Sequence, residues 1–385
     1  MGEIEMIKTI KIMFGLLCLL SGCAVKTTAT ESLESLPIGF YEGSGFFIDH
    51  DRRLVLINTG RGWLGQIGVQ SPLQRLEEEA GKLLFIYENE PFTLTLSQGE
   101  DDYQGSLNNN GQTLDVTLKW NEPEADDLLN FSLNASTRER LELLVKYQDY
   151  APDGKVPAYQ FELGKDSQAA SWLDKHHLDE VLGGKTDVEL MKAGLFWVCE
   201  EYDHSSYSQY RGDIAFDSVG VYGDEGGGLN CNNLSVLLSG ILRSYGVKAV
   251  PVWCLSASQW DQECHVVVQA YSEQLDQWIF LDPTYNLMLM DEQGNYIGVE
   301  ALRSALIEGR PLTANPEANY NGGAFGLDDY RDYMTKNTFR FERPAVFGRE
   351  ISDFVYLIPV NTQLSTSRMF TTDWDAFWAT PEKDA

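Results

Sequence analysis

The chain lacks a surplus of basic residues, a long membrane-spanning apolar run and any closely spaced pair of cysteines. Lysine and arginine number 29 against 58 aspartates and glutamates, a formal charge of −29 over 385 residues. Nucleic acid demands a basic surface to displace its counterions, so a nucleic-acid partner is excluded. The same acidity favours solubility and repulsion from anionic surfaces, and says little about fold. The six cysteines show none of the short paired spacings of a zinc site, and no metal or other cofactor is expected. His176-His177 sits in a polar helical stretch and reads as a solvated face. Gly226-Gly227-Gly228 is followed by no lysine in a phosphate-binding pattern, which leaves it as a closely approached loop. No internal repeat or low-complexity tract stands out.

The longest apolar run, Ile12 to Leu20, follows Lys8 and Lys11 and is too short for an ordinary transmembrane helix. A basic start, a short apolar centre and small residues mark a secretory signal. Leu20-Ser21-Gly22-Cys23 resembles a bacterial lipobox. That resemblance implies cleavage of a signal over residues 1–22 and lipidation of Cys23. Residues 23–35 then form a polar tether, and the protein is held on the outer side of the cytoplasmic membrane. Cys199, Cys231, Cys254 and Cys264 remain; Cys254 and Cys264 flank a hairpin and are either a disulfide or spare thiols.

Residues 36–134 alternate short β runs with turn signals, including Gly45–Ile48, Arg53–Ile57, Leu83–Tyr87, Phe92–Leu96 and a last candidate at Leu128–Leu133. Asn110-Gly111 is a two-residue hairpin turn. This pattern predicts a small all-β barrel or sandwich. Helical periodicity begins near Thr137 and returns over Gln168–Leu182 and Asp187–Tyr202. Residues 137–300 form the expected core. Residues 301–385, with helices at Ala301–Glu308 and Asp328–Lys336 and an aromatic stretch at Phe370–Trp378, are expected to pack on it.

Three residues carry chemistry. Cys231 opens an apolar helix marked by Leu234, Leu237, Leu238, Ile241, Leu242 and Tyr245, with Asn230 as N-cap and Gly246 as stop. The helix N-terminus favours thiolate, and its outward N–H groups suit an oxyanion. His265 opens the strand His265–Tyr271; Asp282 closes the strand Trp278–Asp282. Antiparallel pairing brings the two together, on the face expected to look at the Cys231 helix. A nucleophile, a base and an orienting carboxylate make a Cys-His-Asp triad.

The order Cys231, His265, Asp282 and the flanks of each resemble the transglutaminase-like family, a branch of papain-like cysteine enzymes. The resemblance spans roughly residues 137–300. It implies an α+β fold in which helices pack on an antiparallel sheet. It also implies acyl transfer through a thioester and an upstream side chain supporting the oxyanion. Asn230 and Trp197 are the candidates for that support, although Trp197 lies in an apolar helical run and reads better as core. Water as acceptor gives a peptidase or amidase, the favoured expectation; an amine gives a crosslinking transglutaminase. The expected partners are a peptide, a protein or a cell-wall peptide as substrate, and the membrane through the lipid anchor. A non-catalytic scaffold on the same fold is the competing reading, and a transporter's binding lipoprotein leaves the triad unexplained.

Overall fold

The Asn110-Gly111 pair turns the chain with φ of 47° and 83°, left-handed values that asparagine and glycine tolerate best. It joins two strands in register from Asn109–Gln112 to Tyr103–Leu118. We describe a computed structural model covering residues 36–43, 54–58, 63–67, 71–72, 74–79, 81–87, 90–99, 102–122, 135–157, 160–206, 214–258, 261, 263–348, 351–362 and 369–381. The signal, the tether, Cys23 and the candidate strands at 45–48 and 128–133 lie outside these residues. Among the described residues no helix is long and apolar enough to cross a membrane.

Among the described residues the first sheet has nine strands. They are β1 (Gly39–Gly43), β2 (Leu54–Asn58), β3 (Trp63–Ile67), β4 (Ser71–Pro72), β5 (Gln74–Glu79), β6 (Lys82–Tyr87), β7 (Glu90–Gln98), β8 (Tyr103–Asn109) and β9 (Gln112–Asn121). All pairs are antiparallel, in the order β4-β3-β2-β1-β9-β8-β7-β6-β5. The sheet curls so that β3 approaches β5, which makes a half-barrel and not a two-sheet sandwich. Tyr41, Leu54, Leu56, Phe85, Leu94, Leu96 and Leu118 fill its interior. Phe92, Leu94 and Leu96 in β7 and Val116 and Leu118 in β9 are buried in alternation with less buried neighbours, as a half-buried strand requires.

The helical part opens with α1 (Thr137–Lys146), α2 (Ser167–Lys175), α3 (Leu178–Leu182), α4 (Asp187–Glu201), a π-helical turn at Ala215–Gly220, and α5 (Val221–Asp224). The single helix expected over Gln168–Leu182 is broken. His177 takes φ 54°, a left-handed value that ends α2 and restarts the chain as α3. The nucleophile helix α6 (Cys231–Ser244) follows. Its sequence pattern predicts an amphipathic helix, yet every residue from Asn233 to Ser244 is buried. A helix covered all round is a central element. The sheet packs on one side of it, and α4 and the π turn on the other. Each fully buried Leu or Ile contributes about 1.5–3 kcal/mol.

The second sheet contains β10 (Ala249–Leu255), β11 (His265–Ser272), β12 (Gln277–Asp282) and β13 (Leu287–Met290), then, after helix α7 (Val299–Glu308), β14 (Thr313–Ala314). Helix α8 (Leu327–Asn337) precedes β15 (Arg340–Arg343), β16 (Val355–Leu357) and β17 (Met369–Thr371), and the short helix α9 (Trp374–Phe377) comes last. The order is β14-β13-β12-β11-β10-β15-β16-β17. Strands from beyond residue 300 therefore extend the sheet on both sides. Ala249, Val268, Ala270, Ile279 and Leu281 face α6 in one core. Val250, Val252, Val267, Phe280 and Leu287 face the other way, with α7 and α8 residues such as Leu302 and Met334.

A cramped contact gives a stability test. A Cβ built on Gly240, in the middle of α6, falls 2.3 Å from the Cβ of Ala215 in the π turn. Alanine favours a helix over glycine by about 1 kcal/mol, but overpacking costs about 1–3 kcal/mol, so the clash wins. Gly240→Ala should lower the urea midpoint; an unchanged or raised midpoint would mean that the π turn moves aside freely.

Candidate active site

Asn230 caps α6 as its sequence suggests. Its side-chain oxygen accepts from the Asn233 N–H at 3.0 Å, and Asn233 Oδ1 accepts from the Asn230 N–H at 3.3 Å. This reciprocal capping box fixes the first turn and holds Cys231 at the positive end of the helix. Cys231 itself is partly exposed, and its Sγ lies 4.0 Å from the Cys264 carbonyl oxygen.

His265 and Asp282 meet across two neighbouring strands. The β11–β12 register pairs Val268 with Leu281. One residue further along, Val267 faces Asp282, and His265 is two residues on, on the same face. His265 Nε2 donates to Asp282 Oδ2 at 2.5 Å; the two side chains are 2 % and 0 % exposed as residues. That face is the one shared with Val267 and Phe280, turned toward α7 and α8. The expectation that it would look at the Cys231 helix is thus corrected. The broad side of α6 covers the opposite face, and Cys231 reaches His265 from the helix end. With Nε2 committed to Asp282, Nδ1 is left for the sulfur.

Asp282 is satisfied from two further directions. Its Oδ1 accepts from the Thr284 N–H at 2.9 Å, and its Oδ2 accepts from the Tyr330 hydroxyl at 2.7 Å. Tyr330 comes from α8, as does Tyr333, whose ring centre lies 5.3 Å from that of His265. Tyr285, at 5.9 Å from His265, completes an aromatic wall with Tyr330 and Phe325. Lys336 ties down the loop before His265 through Asp261 at 3.0 Å and Glu263 at 2.7 Å.

The electrostatics follow from this packing. Burial pushes the Cys231 thiol up, but hydrogen bonds from His204 and His265, together with the His265 charge, bring it down to about 6. Burial opposes charge on His265, yet the Asp282 carboxylate and the Cys231 sulfur raise it to about 10. Between those values the stable pair is thiolate and imidazolium. Cys199 and Cys254 go the other way: burial, then the Asp282 charge, pushes both thiols up. Cys254 and Cys264 carry free thiols, so the hairpin disulfide is not formed.

The other sequence candidates are placed as follows. Trp197 packs edge-on against Trp172, His176 and Tyr202, at 5.8, 5.5 and 6.1 Å between ring centres. His176 is no solvated group. It is half-buried and pairs with Asp224 at 3.0 Å, where Trp172, Lys175 and Tyr202 also donate. This hub joins α2, α4 and α5 behind the site; His177 alone is exposed. Sequence reasoning missed His204 and Tyr330. His204 stands in Tyr202-Asp203-His204, with no periodic element around it to give it a direction, and Tyr330 belongs to a helix whose position only the fold reveals. Among the described residues no cluster of His, Cys, Asp or Glu is arranged to hold a metal ion.

Residues 176–283 match the family model described as the transglutaminase-like superfamily. None of the curated proteins matches the chain. A solved structure, a proposed cysteine protease from Cytophaga hutchinsonii, aligns over 63% of this chain and 81% of its own, at 12% identity and a TM-score of 0.25. That likeness is too slight to carry weight. The family match spans Cys231, His265 and Asp282 together, and these occupy the junction of a central helix with an antiparallel sheet. Residues 176–283 are a transglutaminase-like core set in an α+β chain behind an N-terminal half-barrel.

Proposed function

We propose that the protein is an exported, lipid-anchored cysteine enzyme that cleaves peptide or amide bonds through a thioester. The observation that carries this reading is the buried His265 imidazole, which bridges the Cys231 sulfur and the Asp282 carboxylate. The Cys231 thiolate attacks the carbonyl carbon, and the electron pair moves to oxygen. As the tetrahedral intermediate collapses, the His265 imidazolium gives its proton to the departing amine, leaving a thioester and neutral imidazole. Water then attacks, His265 takes its proton, and the acid is released. The acyl donors are peptides, proteins or cell-wall peptides, within reach of an enzyme tethered outside the membrane through Cys23.

The pH dependence tests the reading. Alkylation of Cys231 by iodoacetamide should fall as pH drops through about 6, where the thiolate takes up its proton. It should hold steady above that. Turnover of an amide substrate should show the same acid limb and also fall above about 10, where His265 loses the proton that the leaving amine needs. An alkylation midpoint near 8.5, the ordinary range of a cysteine thiol, would sink the proposal. Added primary amine that diverts most of the product to an amide would identify transamidation in place of hydrolysis.

A further inference from the structure

A second imidazole belongs to the segment that lies beside Leu229, two residues before the reactive Cys231. His204 lies in the segment that follows α4 and runs parallel to the residues leading into α6. It bridges to Leu229, and the Ser205 N–H donates to the Leu229 carbonyl at 2.7 Å. The backbone of His204 is clamped by Asn321, whose Oδ1 accepts from its N–H at 2.8 Å and whose Nδ2 donates to its carbonyl at 3.0 Å. Its ring is fixed separately, with Nδ1 3.1 Å from the Tyr320 hydroxyl. When that hydroxyl donates, the neutral ring keeps its proton on Nε2, the nitrogen left for Cys231.

Building on the acyl-transfer reading, we propose that His204 is the side-chain half of the oxyanion hole. It donates Nε2–H to the Cys231 thiolate at rest and to the carbonyl oxygen as the S–C bond forms. No proton is transferred in this step: the electron pair of the carbonyl π bond settles on oxygen, and the N–H holds it there. The two residues that sequence offered for this role have other structural duties: the Asn230 side-chain oxygen caps α6, and Trp197 packs edge-on in the aromatic group around His176. His204 lies beside Leu229 at the N-terminal end of α6, where backbone N–H groups point outward, and its hydrogen bond helps to hold the Cys231 thiol below the ordinary range. Its tautomer is set by Tyr320, a residue outside the transglutaminase-like match.

The test uses the whole chain and two probes of Cys231: iodoacetamide for thiol ionisation, and p-nitrophenyl acetate for acylation, followed by mass spectrometry. His204→Ala keeps the backbone clamp to Asn321. Its alkylation midpoint should rise by about one pH unit, and acylation at pH 7.5 should fall by about 10²–10³-fold, well beyond the loss in alkylation. His204→Gln, which restores an N–H, should recover most of the acylation. Tyr320→Phe, which releases the tautomer, should cost roughly fivefold. If His204→Ala keeps acylation within twofold of wild type, the proposal is overturned. It is also overturned if acylation and alkylation fall by the same factor, because His204 then acts on the resting thiolate alone. If the wild type alkylates with a low midpoint but never acylates, the acyl-transfer reading falls; the midpoint of His204→Ala still decides whether His204 donates to the sulfur.

Discussion

Cys231→Ala should abolish acyl transfer and leave the melting temperature where it was. In the proposed mechanism the sulfur is the atom that forms the covalent bond, and the Cys199 and Cys254 thiols, pushed up by burial, are poor replacements for it. Loss of the nucleophile from a triad enzyme costs about 10⁶ in rate. The fold has little stake in the thiol. Cys231 is partly exposed, alanine suits the first turn of a helix, and the capping box between Asn230 and Asn233 does not involve the sulfur. Amide-hydrolysis rates and thermal melts on the same preparation check both halves. Full activity in the variant would end the catalytic assignment; a collapsed melt would hand Cys231 a structural role.

His265→Ala should do more damage of a different kind. It removes the proton carrier, so turnover should fall by at least about 10⁴, the upper range for general acid–base catalysis. It also removes the positive partner of the sulfur, and the alkylation midpoint should climb from about 6 toward the ordinary thiol range. Asp282, fully buried, would keep only Tyr330 and the Thr284 N–H. Breaking a buried pair on one side costs about 3–5 kcal/mol, so this variant, unlike Cys231→Ala, should unfold at distinctly lower urea. Asp282→Asn should retain more activity. In a serine protease the equivalent change costs about 10⁴ through the wrong tautomer, and a thiol ionises far more easily than a serine hydroxyl. If His265→Ala left the alkylation midpoint in place, the imidazole would not be the partner of Cys231.

Local signals made the helix ends and hairpin turns legible in the sequence. Asn230 before an apolar helical run placed the start of α6, and Asn110-Gly111 placed a hairpin, because capping and turn chemistry act over three or four residues. The meeting of His265 with Asp282 was legible from strand alternation alone. The face they share was not, because period-2 reasoning says which residues go together and not what covers them. α6 looked amphipathic because Ser235 and Ser239 interrupt its apolar pattern. Ser235 in fact spends its hydroxyl on the Val266 carbonyl at 2.9 Å, and both serines are buried. His204 and Tyr330 gave no signal, since a lone polar residue acquires meaning only from neighbours far along the chain.

The carboxylate that orients His265 receives the Tyr330 hydroxyl from 48 residues downstream. The strand bearing Cys254 is flanked by Phe341, much later in the chain. A nascent polypeptide that has emerged only as far as residue 300 already holds Cys231, His265 and Asp282. Yet it lacks Met334, Phe341 and Leu357, which share a core with Val252, Val267 and Phe280, and leaves Asp282 without its tyrosine. Such distant contacts form late, because the loop entropy must be met before they return anything. The site therefore gains its last supports, Tyr320 and Asn321 on His204 and Tyr330 on Asp282, only after residues 320–330 have been made and docked.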